Sequence, residues 1–227
     1  MCTLLNEDWS RSVIYWNRDS GINFDDYNPA FSSYVSEINA VTMLNFHTKD
    51  RNYGFSGVTP HNYFMAVGSI FTSDRLSFES NGDRTYGYPS LIISGRFNSD
   101  DVVDLALISN VSDTLQIFLG IEFQSFTRHR YSTLPNPTSL ARIRFNDDEI
   151  DDVAVLSCNQ KITVFIGTDL GIYHQHPEVF PGDNINNFEC ARSMVVGDFN
   201  KDMQDDVAFI DPNAEVIRIF LGKTFNL

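Results

Sequence analysis

Short apolar runs separated by turn-forming residues dominate the second half of the chain. DLALI and LQIFL are separated by SNVSDT, VAVL and ITVFI by SCNQK, and VAFI and VIRIF by DPNAE. Each pair predicts a β-hairpin, because apolar runs of strand length bounded by Asn, Asp, Ser and Pro are typical of strands and turns. A third run, SLIIS, SLARI or SMVVG, precedes each pair and predicts a further strand. No window of about 12 residues shows helical periodicity, so the sequence predicts an all-β fold.

The predicted strands are apolar on both faces rather than on one. Runs such as VAVL and VFI contain no polar position that would face solvent. A strand of this kind needs cover on both sides of its sheet. Small sheets stacked on one another provide that cover, and no single sheet can do so alone.

An internal repeat organises these runs. Three segments align without gaps: GRFNSDDVVDLALI from Gly95, IRFNDDEIDDVAVL from Ile143 and GDFNKDMQDDVAFI from Gly197. Their shared Phe residues are spaced by 48 and 54 positions, and the Phe residues of the following block are spaced by 47 and 55. Because two independent landmarks give the same period, the repeated unit includes both blocks. The six residues are Phe97, Phe145 and Phe199, then Phe118, Phe165 and Phe220. We expect all six to fill the space between neighbouring sheets.

A degenerate copy lies upstream of the three clear ones. Phe46, in NAVTMLNFHTKD, stands 51 residues before Phe97, and Trp16 stands 102 residues before Phe118, which is two periods. A polar stretch at 72–88 interrupts this part of the chain. The whole chain is therefore predicted to consist of about four and a half copies.

The predicted architecture is a β-propeller, complete or partial, of four to five repeats of about 50 residues, each a four-stranded blade. The chain is predicted to be a single repeat array over 1–227. Both ends offer the same part of a blade, so further repeats of a longer chain are an open alternative to closure. The segments are 1–30 (partial blade), 31–89 (degenerate repeat with an insertion), 90–137 (repeat), 138–190 (repeat) and 191–227 (truncated repeat).

An aspartate-rich loop follows the first strand of each clear repeat. In the third copy, oxygen-bearing side chains occupy loop positions 1, 3, 5 and 9, and position 7 offers a backbone carbonyl; these residues are Asp198, Asn200, Asp202, Asp206 and Gln204. Alternating oxygen donors in a tight loop are typical of Ca²⁺ sites. Four aspartates and one lysine crowd the loop, and a cation would offset their repulsion. The sequence therefore predicts Ca²⁺ at this loop.

The other two loops carry Arg at position 1 instead of Asp. Their candidate metal ligands are Asn98, Asp100, Val102 and Asp104 in one, and Asn146, Asp148, Ile150 and Asp152 in the other. The alternative is that each guanidinium pairs with the carboxylates and takes the place of the metal. In that case Arg96 would pair with Asp100 and Asp104, and Arg144 with Asp148 and Asp152. Position 6, often Gly where such loops turn sharply, is Asp101, Glu149 and Met203.

These motifs resemble the FG-GAP/VCBS repeats that build the integrin alpha-type β-propeller. GDFNKDMQDDVAFI resembles the family's aspartate-rich core, and IRIFLGKTF resembles its outer strand and Gly-x-x-Phe ending. The resemblance is strong for 90–227 and weak for 1–89. It implies one blade per repeat, Ca²⁺ in the loops, and adhesion or ligand binding outside the cell.

Charge and composition exclude several partners. The formal net charge is −14, which disfavours nucleic acid and anionic membrane surfaces. No apolar stretch is long enough to insert into a bilayer, and no signal-peptide pattern opens the chain. Three cysteines are too few for a disulfide scaffold, and neither Cys158 nor Cys190 has a His partner that would indicate a catalytic thiol.

The leading hypothesis is a non-enzymatic, Ca²⁺-stabilised propeller module that recognises a protein or glycan ligand, with no catalytic residues. One alternative is an enzyme domain, a hydrolase or lyase, on a propeller scaffold; the apolar strands SLIIS and SMVVG at the expected channel disfavour it. The other is a metal-free structural remnant of a longer repeat protein, which the degenerate first copy favours.

Overall fold

A computed structural model describes residues 2–8, 11–16, 40–45, 53–59, 64–70, 81–122, 125–146, 148–158, 161–171, 173–175 and 190–222. These residues form antiparallel strands and their connecting turns, without a helix, so the all-β prediction is confirmed. Over the same residues there is accordingly no helix of the length and apolarity needed to cross a membrane.

The described strands group into one hairpin and four sheets. The N-terminal hairpin is β1 (Cys2–Asp8) and β2 (Arg11–Trp16). Sheet I is β3 (Ala40–Asn45), β4 (Tyr53–Thr59), β5 (Phe64–Ile70) and β6 (Asn81–Arg84). Sheet II is β7 (Leu91–Gly95), β8 (Asp104–Ser109), β9 (Thr114–Glu122) and β10 (Ser125–Ser132). Sheet III is β11 (Pro137–Ile143), β12 (Asp152–Ser157), β13 (Ile162–Ile166) and β14 (His174–Gln175). Sheet IV is β15 (Arg192–Gly197), β16 (Asp206–Asp211) and β17 (Val216–Phe220).

Every sheet is a meander in which each strand pairs with the next one along the chain. The three predicted hairpins are confirmed as β8–β9, β12–β13 and β16–β17, and the runs predicted to precede them are β7, β11 and β15. Each predicted repeat segment contains one sheet, and sheet III begins at the boundary between two segments, at Pro137.

Sheets II and III pack face to face. We call the face of a sheet that contacts the following sheet its front face, and the opposite one its back face; in sheet IV, the last of the series, the front face is the one turned away from sheet III. The front face of sheet II and the back face of sheet III form one buried cluster, to which Ile117 and Leu119 contribute from the former and Val153 and Val155 from the latter. Ring contacts cross this interface, since the centroids of Tyr131 and Phe165 lie 6.0 Å apart.

The same packing recurs between sheets III and IV. Leu156 and Val164 on the front face of sheet III are buried with Val207 and Phe209 on the back face of sheet IV. The back face of sheet II is also buried, around Phe118. Sheets II and III are therefore covered on both faces, which explains why their strands are apolar throughout.

The front face of sheet IV is exposed in this structure, and the described sheets do not close into a ring. This corrects one expectation about the repeated Phe residues. Phe97 and Phe145 are buried between sheets as predicted, whereas Phe199 is 47% exposed. Its motif is the same, but none of the described sheets covers it. In the second block, Phe118 and Phe165 are buried and Phe220 is half-buried.

Candidate metal-binding loops and ligand surface

The three aspartate-rich loops occupy equivalent places in the fold. Each connects the first strand of its sheet to the second, over 96–103 in sheet II, 144–151 in sheet III and 198–205 in sheet IV. All three therefore lie at the same end of the stacked sheets. The aspartate at position 9 is the first residue of the second strand and is fully buried in every copy.

The buried aspartate closes each loop through two backbone hydrogen bonds. Asp104 accepts the N–H of Phe97 at 2.7 Å and the N–H of Gly120, at the end of the third strand, at 2.8 Å. Asp152 accepts from Phe145 at 2.9 Å and Gly167 at 2.8 Å, and Asp206 from Phe199 at 2.8 Å and Gly222 at 2.7 Å. Because loops with Arg and with Asp at position 1 make the same pair of bonds, this aspartate has a structural role that does not require a metal.

Burial perturbs two of these carboxyl groups. Desolvation raises the pKa of Asp104 to about 7 and that of Asp152 to about 6. The backbone N–H bonds oppose the shift, and the nearby carboxylates of Asp100 and Asp148 add to it. The proton affinity of both groups is therefore set chiefly by their buried position.

The side chains at positions 3 and 5 are hydrogen-bonded to each other in the same way in all three loops. In sheet II, the Asn98 side-chain amide donates to Asp100 at 2.8 Å, and Asp100 accepts the N–H of Val102 at 2.8 Å. The corresponding bonds in sheet III are Asn146 to Asp148 at 2.9 Å and Ile150 N–H to Asp148 at 3.0 Å. In sheet IV they are Asn200 to Asp202 at 2.8 Å and Gln204 N–H to Asp202 at 2.9 Å.

The Asp198 loop differs from the other two at position 1. The Asp198 carboxylate accepts the N–H of Asp202 at 3.1 Å and the N–H of Met203 at 2.9 Å. Lys201 and Met203 adopt φ values of 65° and 68°, so the loop makes its sharp turn without glycine. This conformation is costly for a residue with a side chain, and the two bonds to Asp198 help to hold it.

The arginines at position 1 do not pair as expected. The Arg96 guanidinium contacts Asp101 at 3.2 Å, with both side chains exposed, and not the expected Asp100 or Asp104. An exposed pair of this kind adds little stability. The backbone N–H groups of these arginines instead link neighbouring sheets: Arg96 N–H donates to Asp151 at 2.8 Å, and Arg144 N–H donates to Asp205 at 2.7 Å.

The chemistry of the donor set separates the three loops as candidate Ca²⁺ sites. Asp198, Asn200 and Asp202 offer hard oxygen donors at positions 1, 3 and 5, and Gln204 offers a carbonyl, which suits Ca²⁺. A guanidinium at position 1 replaces one anionic donor in the other two loops. Among the described residues, no three His, Cys, Asp or Glu side chains are grouped closely enough to hold a metal ion. The Asp198 loop fits a hard cation through its mixed carboxylate, amide and carbonyl oxygens, and the loops at Arg96 and Arg144 fit it less well.

A disulfide joins sheets III and IV. Cys158, in the turn after β12, is bonded to Cys190, two residues before β15. The count of three cysteines indicated neither this bond nor its partners, because spacing along the chain does not reveal which turns meet in space. The bond ties the β12 turn of sheet III to the residues that lead into sheet IV, at the end of the sheets opposite to the aspartate-rich loops.

A shallow pocket of about 350 Å³ lies at that opposite end of sheet II, where the sequence suggested only a polar insertion. We call it the tyrosine pocket; it is lined by Thr85, Tyr86, Gly87, Tyr88, Val111 and Ser112. Tyr86 and Tyr88 are exposed. The Gln116 side chain fixes the Tyr86 backbone by accepting its N–H at 2.7 Å and donating to its carbonyl at 2.8 Å. The Arg130 guanidinium stacks on the Tyr86 ring, 4.1 Å from its centroid.

No protein-family model matches this chain, and a search of curated proteins finds no match.

Proposed function

We propose that the chain is a non-enzymatic repeat array of the β-propeller type, related to the FG-GAP/VCBS repeats, in which each sheet is one blade. The double-sided burial of sheets II and III carries this proposal, because stacked blades bury both faces of every sheet. A second support is that the first strands of successive sheets, β3, β7, β11 and β15, are neighbours. Blades arranged around an axis bring the same strand of each blade together.

The proposal includes one structural Ca²⁺ at the Asp198 loop. Asp198, Asn200 and Asp202 would hold the ion through side-chain oxygens and Gln204 through its carbonyl, while Asp206 supports the loop from the buried side. The bound ion would neutralise part of the crowded negative charge and fix the loop. Since the ion binds the folded loop only, it adds to the stability of the fold by linkage.

Thermal unfolding in excess Ca²⁺ and in chelator tests the ion. Linkage gives about 2.7 kcal/mol of added stability when free Ca²⁺ is about 100 times its dissociation constant. The double variant Asp198→Asn, Asp202→Asn should lose the shift, and the matched variant Asp148→Asn, in a loop with Arg at position 1, should keep it. An unchanged melting temperature in the unmodified protein removes the Ca²⁺ claim.

Recognition of a protein or glycan ligand is proposed for the tyrosine pocket. Exposed tyrosine rings supply apolar contact area together with a polar hydroxyl, which is why tyrosine is enriched at binding surfaces. The bonds to Gln116 and the stacking of Arg130 hold Tyr86 in place before a ligand arrives, so little ordering is needed on binding. One disulfide is compatible with an oxidising, extracellular environment, which the resemblance also implies.

Binding to a glycan array and to immobilised extracellular matrix proteins tests this function. The double variant Tyr86→Ala, Tyr88→Ala should lower the affinity for any ligand found by about tenfold or more, which is equivalent to about 1.4 kcal/mol of binding free energy. Met203→Ala removes an even more exposed apolar side chain at the far end of the sheets and serves as the control. Equal binding by both variants contradicts the assignment of the pocket.

A further inference from the structure

The tyrosine pocket has a positive charge beside it that no described carboxylate neutralises. Arg130 on β10 is exposed, and its guanidinium lies over the Tyr86 ring, 4.1 Å from the centroid. Among the described residues, none forms an ion pair with Arg130 or accepts a hydrogen bond from its side chain. This arginine keeps its charge open to a ligand in a chain that has 30 Asp and Glu residues and 16 Lys and Arg residues.

Stacking fixes the Arg130 guanidinium without using its hydrogen-bond donors. A guanidinium stacks on an aromatic ring through its flat face, whereas its N–H groups lie in its plane and point outward from its edge. A carboxylate or a sulfate accepts two such N–H groups side by side, and the charge strengthens both bonds. Arg130 is therefore a prearranged group for binding an anion next to Tyr86.

A buried hydroxyl in the same pocket is also without a partner. Thr85 lines the pocket and is 7% exposed. Its Oγ1 atom is buried, and no residue in the described part of the chain forms a hydrogen bond with it. A buried hydroxyl that makes no hydrogen bond is unfavourable, so a ligand hydroxyl seated in the pocket gains by pairing with Thr85.

The walls of the pocket are held together by the protein itself. Gly87 has a φ of 71°, and a Cβ at this position would overlap the Ser112 hydroxyl, so glycine allows the two walls to approach closely. The Ser112 N–H donates to Ser109 Oγ at 3.3 Å, and the Ser112 hydroxyl is hydrogen-bonded to that of Thr114 at 2.8 Å. A ligand therefore meets a formed site.

The lining of the pocket suits a sugar better than a protein side chain. Of the six lining residues, Thr85, Tyr86, Tyr88 and Ser112 carry hydroxyl groups, and Val111 is the one aliphatic side chain. Anchors of protein partners usually fill well-packed, desolvated pockets, whereas this pocket is shallow. Its volume of about 350 Å³ is at the lower end of the range for small-ligand sites, about 300–1,000 Å³. Tyrosine rings and hydroxyl groups offer a sugar ring both apolar contact and hydrogen bonds.

We infer that the tyrosine pocket binds an acidic glycan, a sugar chain that carries a carboxylate or sulfate group. The anionic group binds the Arg130 guanidinium, a sugar ring lies against the exposed tyrosines, and a sugar hydroxyl pairs with Thr85. This inference rests on the proposed ligand-binding function of the pocket and goes beyond it by naming the class of ligand and the residue that selects it.

A glycan array in which each anionic glycan has a neutral counterpart tests the inference. Sialylated and 6-sulfated N-acetyllactosamine are compared with plain N-acetyllactosamine, and a uronic acid oligosaccharide is compared with its methyl ester. The full chain should bind at least one anionic member about tenfold or more tighter than its neutral counterpart, because the pair of bonds to Arg130 is charge-assisted. Sialylated and uronic acid glycans against sulfated ones separate a carboxylate from a sulfate ligand.

Two variants assign the preference to the pocket. Arg130→Gln should lower the affinity for the anionic member about tenfold, to that of its neutral counterpart, and leave the neutral affinity unchanged. Arg192→Gln removes the same charge from an exposed position on sheet IV and should change neither affinity. Thr85→Val replaces the hydroxyl with a methyl group; it should weaken binding of both members by about two- to tenfold without lowering the melting temperature.

The outcomes separate this inference from the proposed function. Equal affinity for both members of every pair, or a preference for the anionic member that Arg130→Gln retains, overturns the acidic glycan. Binding only to a matrix protein, lost in the double variant Tyr86→Ala, Tyr88→Ala, also overturns it but supports the pocket as a ligand site. Binding that this double variant leaves unchanged contradicts the pocket itself. Unchanged circular dichroism of each variant establishes that the fold is intact.

Discussion

Replacing Asp206 with Ala distinguishes a structural aspartate from a metal ligand. The carboxylate of Asp206 is fully buried and accepts the N–H groups of Phe199 and Gly222. Removing it leaves two backbone donors without a partner, and each such loss costs about 1–3 kcal/mol. Since both bonds are only partly buried, we expect Asp206→Ala to lower the free energy of unfolding by about 2–4 kcal/mol.

The measurement is urea-induced unfolding of the unmodified protein and of the variant in the presence of chelator. Without metal, a residue that acts only as a ligand should be neutral or even stabilising when removed, because it adds repulsion to a crowded acidic loop. Asp206→Asn keeps one acceptor oxygen and should lose about half as much stability as Asp206→Ala. A loss below about 0.5 kcal/mol for Asp206→Ala, with an unchanged slope against urea, would refute the structural role.

Two further predictions concern the buried carboxyl groups and the disulfide. The raised pKa of Asp104, about 7, and of Asp152, about 6, against 3.8 for the ordinary side chain, means that the folded state binds protons more tightly than the unfolded one. Their contribution to stability is therefore present below about pH 4 and is lost as the pH rises to about 7; urea unfolding between pH 4 and 8 should show this fall, and Asp104→Asn should reduce its slope. The double variant Cys158→Ser, Cys190→Ser removes the disulfide between residues separated by 32 positions and should lower the free energy of unfolding by about 2–4 kcal/mol. A reducing agent should not lower the stability of this variant further. A variant as stable as the unmodified protein would show that the bond does not constrain the unfolded chain.

The hairpins were predictable because their signal is local. Apolar runs around SNVSDT and DPNAE fix both the strands and the turns between them, and the structure has β8–β9 and β16–β17 there. The outermost strand β10, Ser125–Ser132, is polar and largely exposed, so its sequence carries little strand signal of its own. Its place depends on pairing with β9, which the strand's own composition does not specify.

Properties that depend on neighbouring sheets could not be predicted from one repeat. Phe145 and Phe199 stand at the same motif position, yet the first is buried and the second half-exposed, because among the described sheets one covers Phe145 and none covers Phe199. The Arg96 guanidinium was expected to pair with Asp100 and Asp104, whereas it contacts Asp101, and the Arg96 backbone N–H binds Asp151 of the next sheet. The aspartate that makes this link is recognisable only once the stacking of the sheets is known.

The stacking of consecutive sheets is the central claim, and a double-mutant cycle across one interface tests it most directly. Tyr131 of sheet II and Phe165 of sheet III have ring centroids 6.0 Å apart. Urea unfolding of Tyr131→Leu, Phe165→Leu and the double variant should give a favourable coupling of about 0.5–1.5 kcal/mol. Additive losses, with a coupling of zero within error, would contradict the packing of sheet II on sheet III.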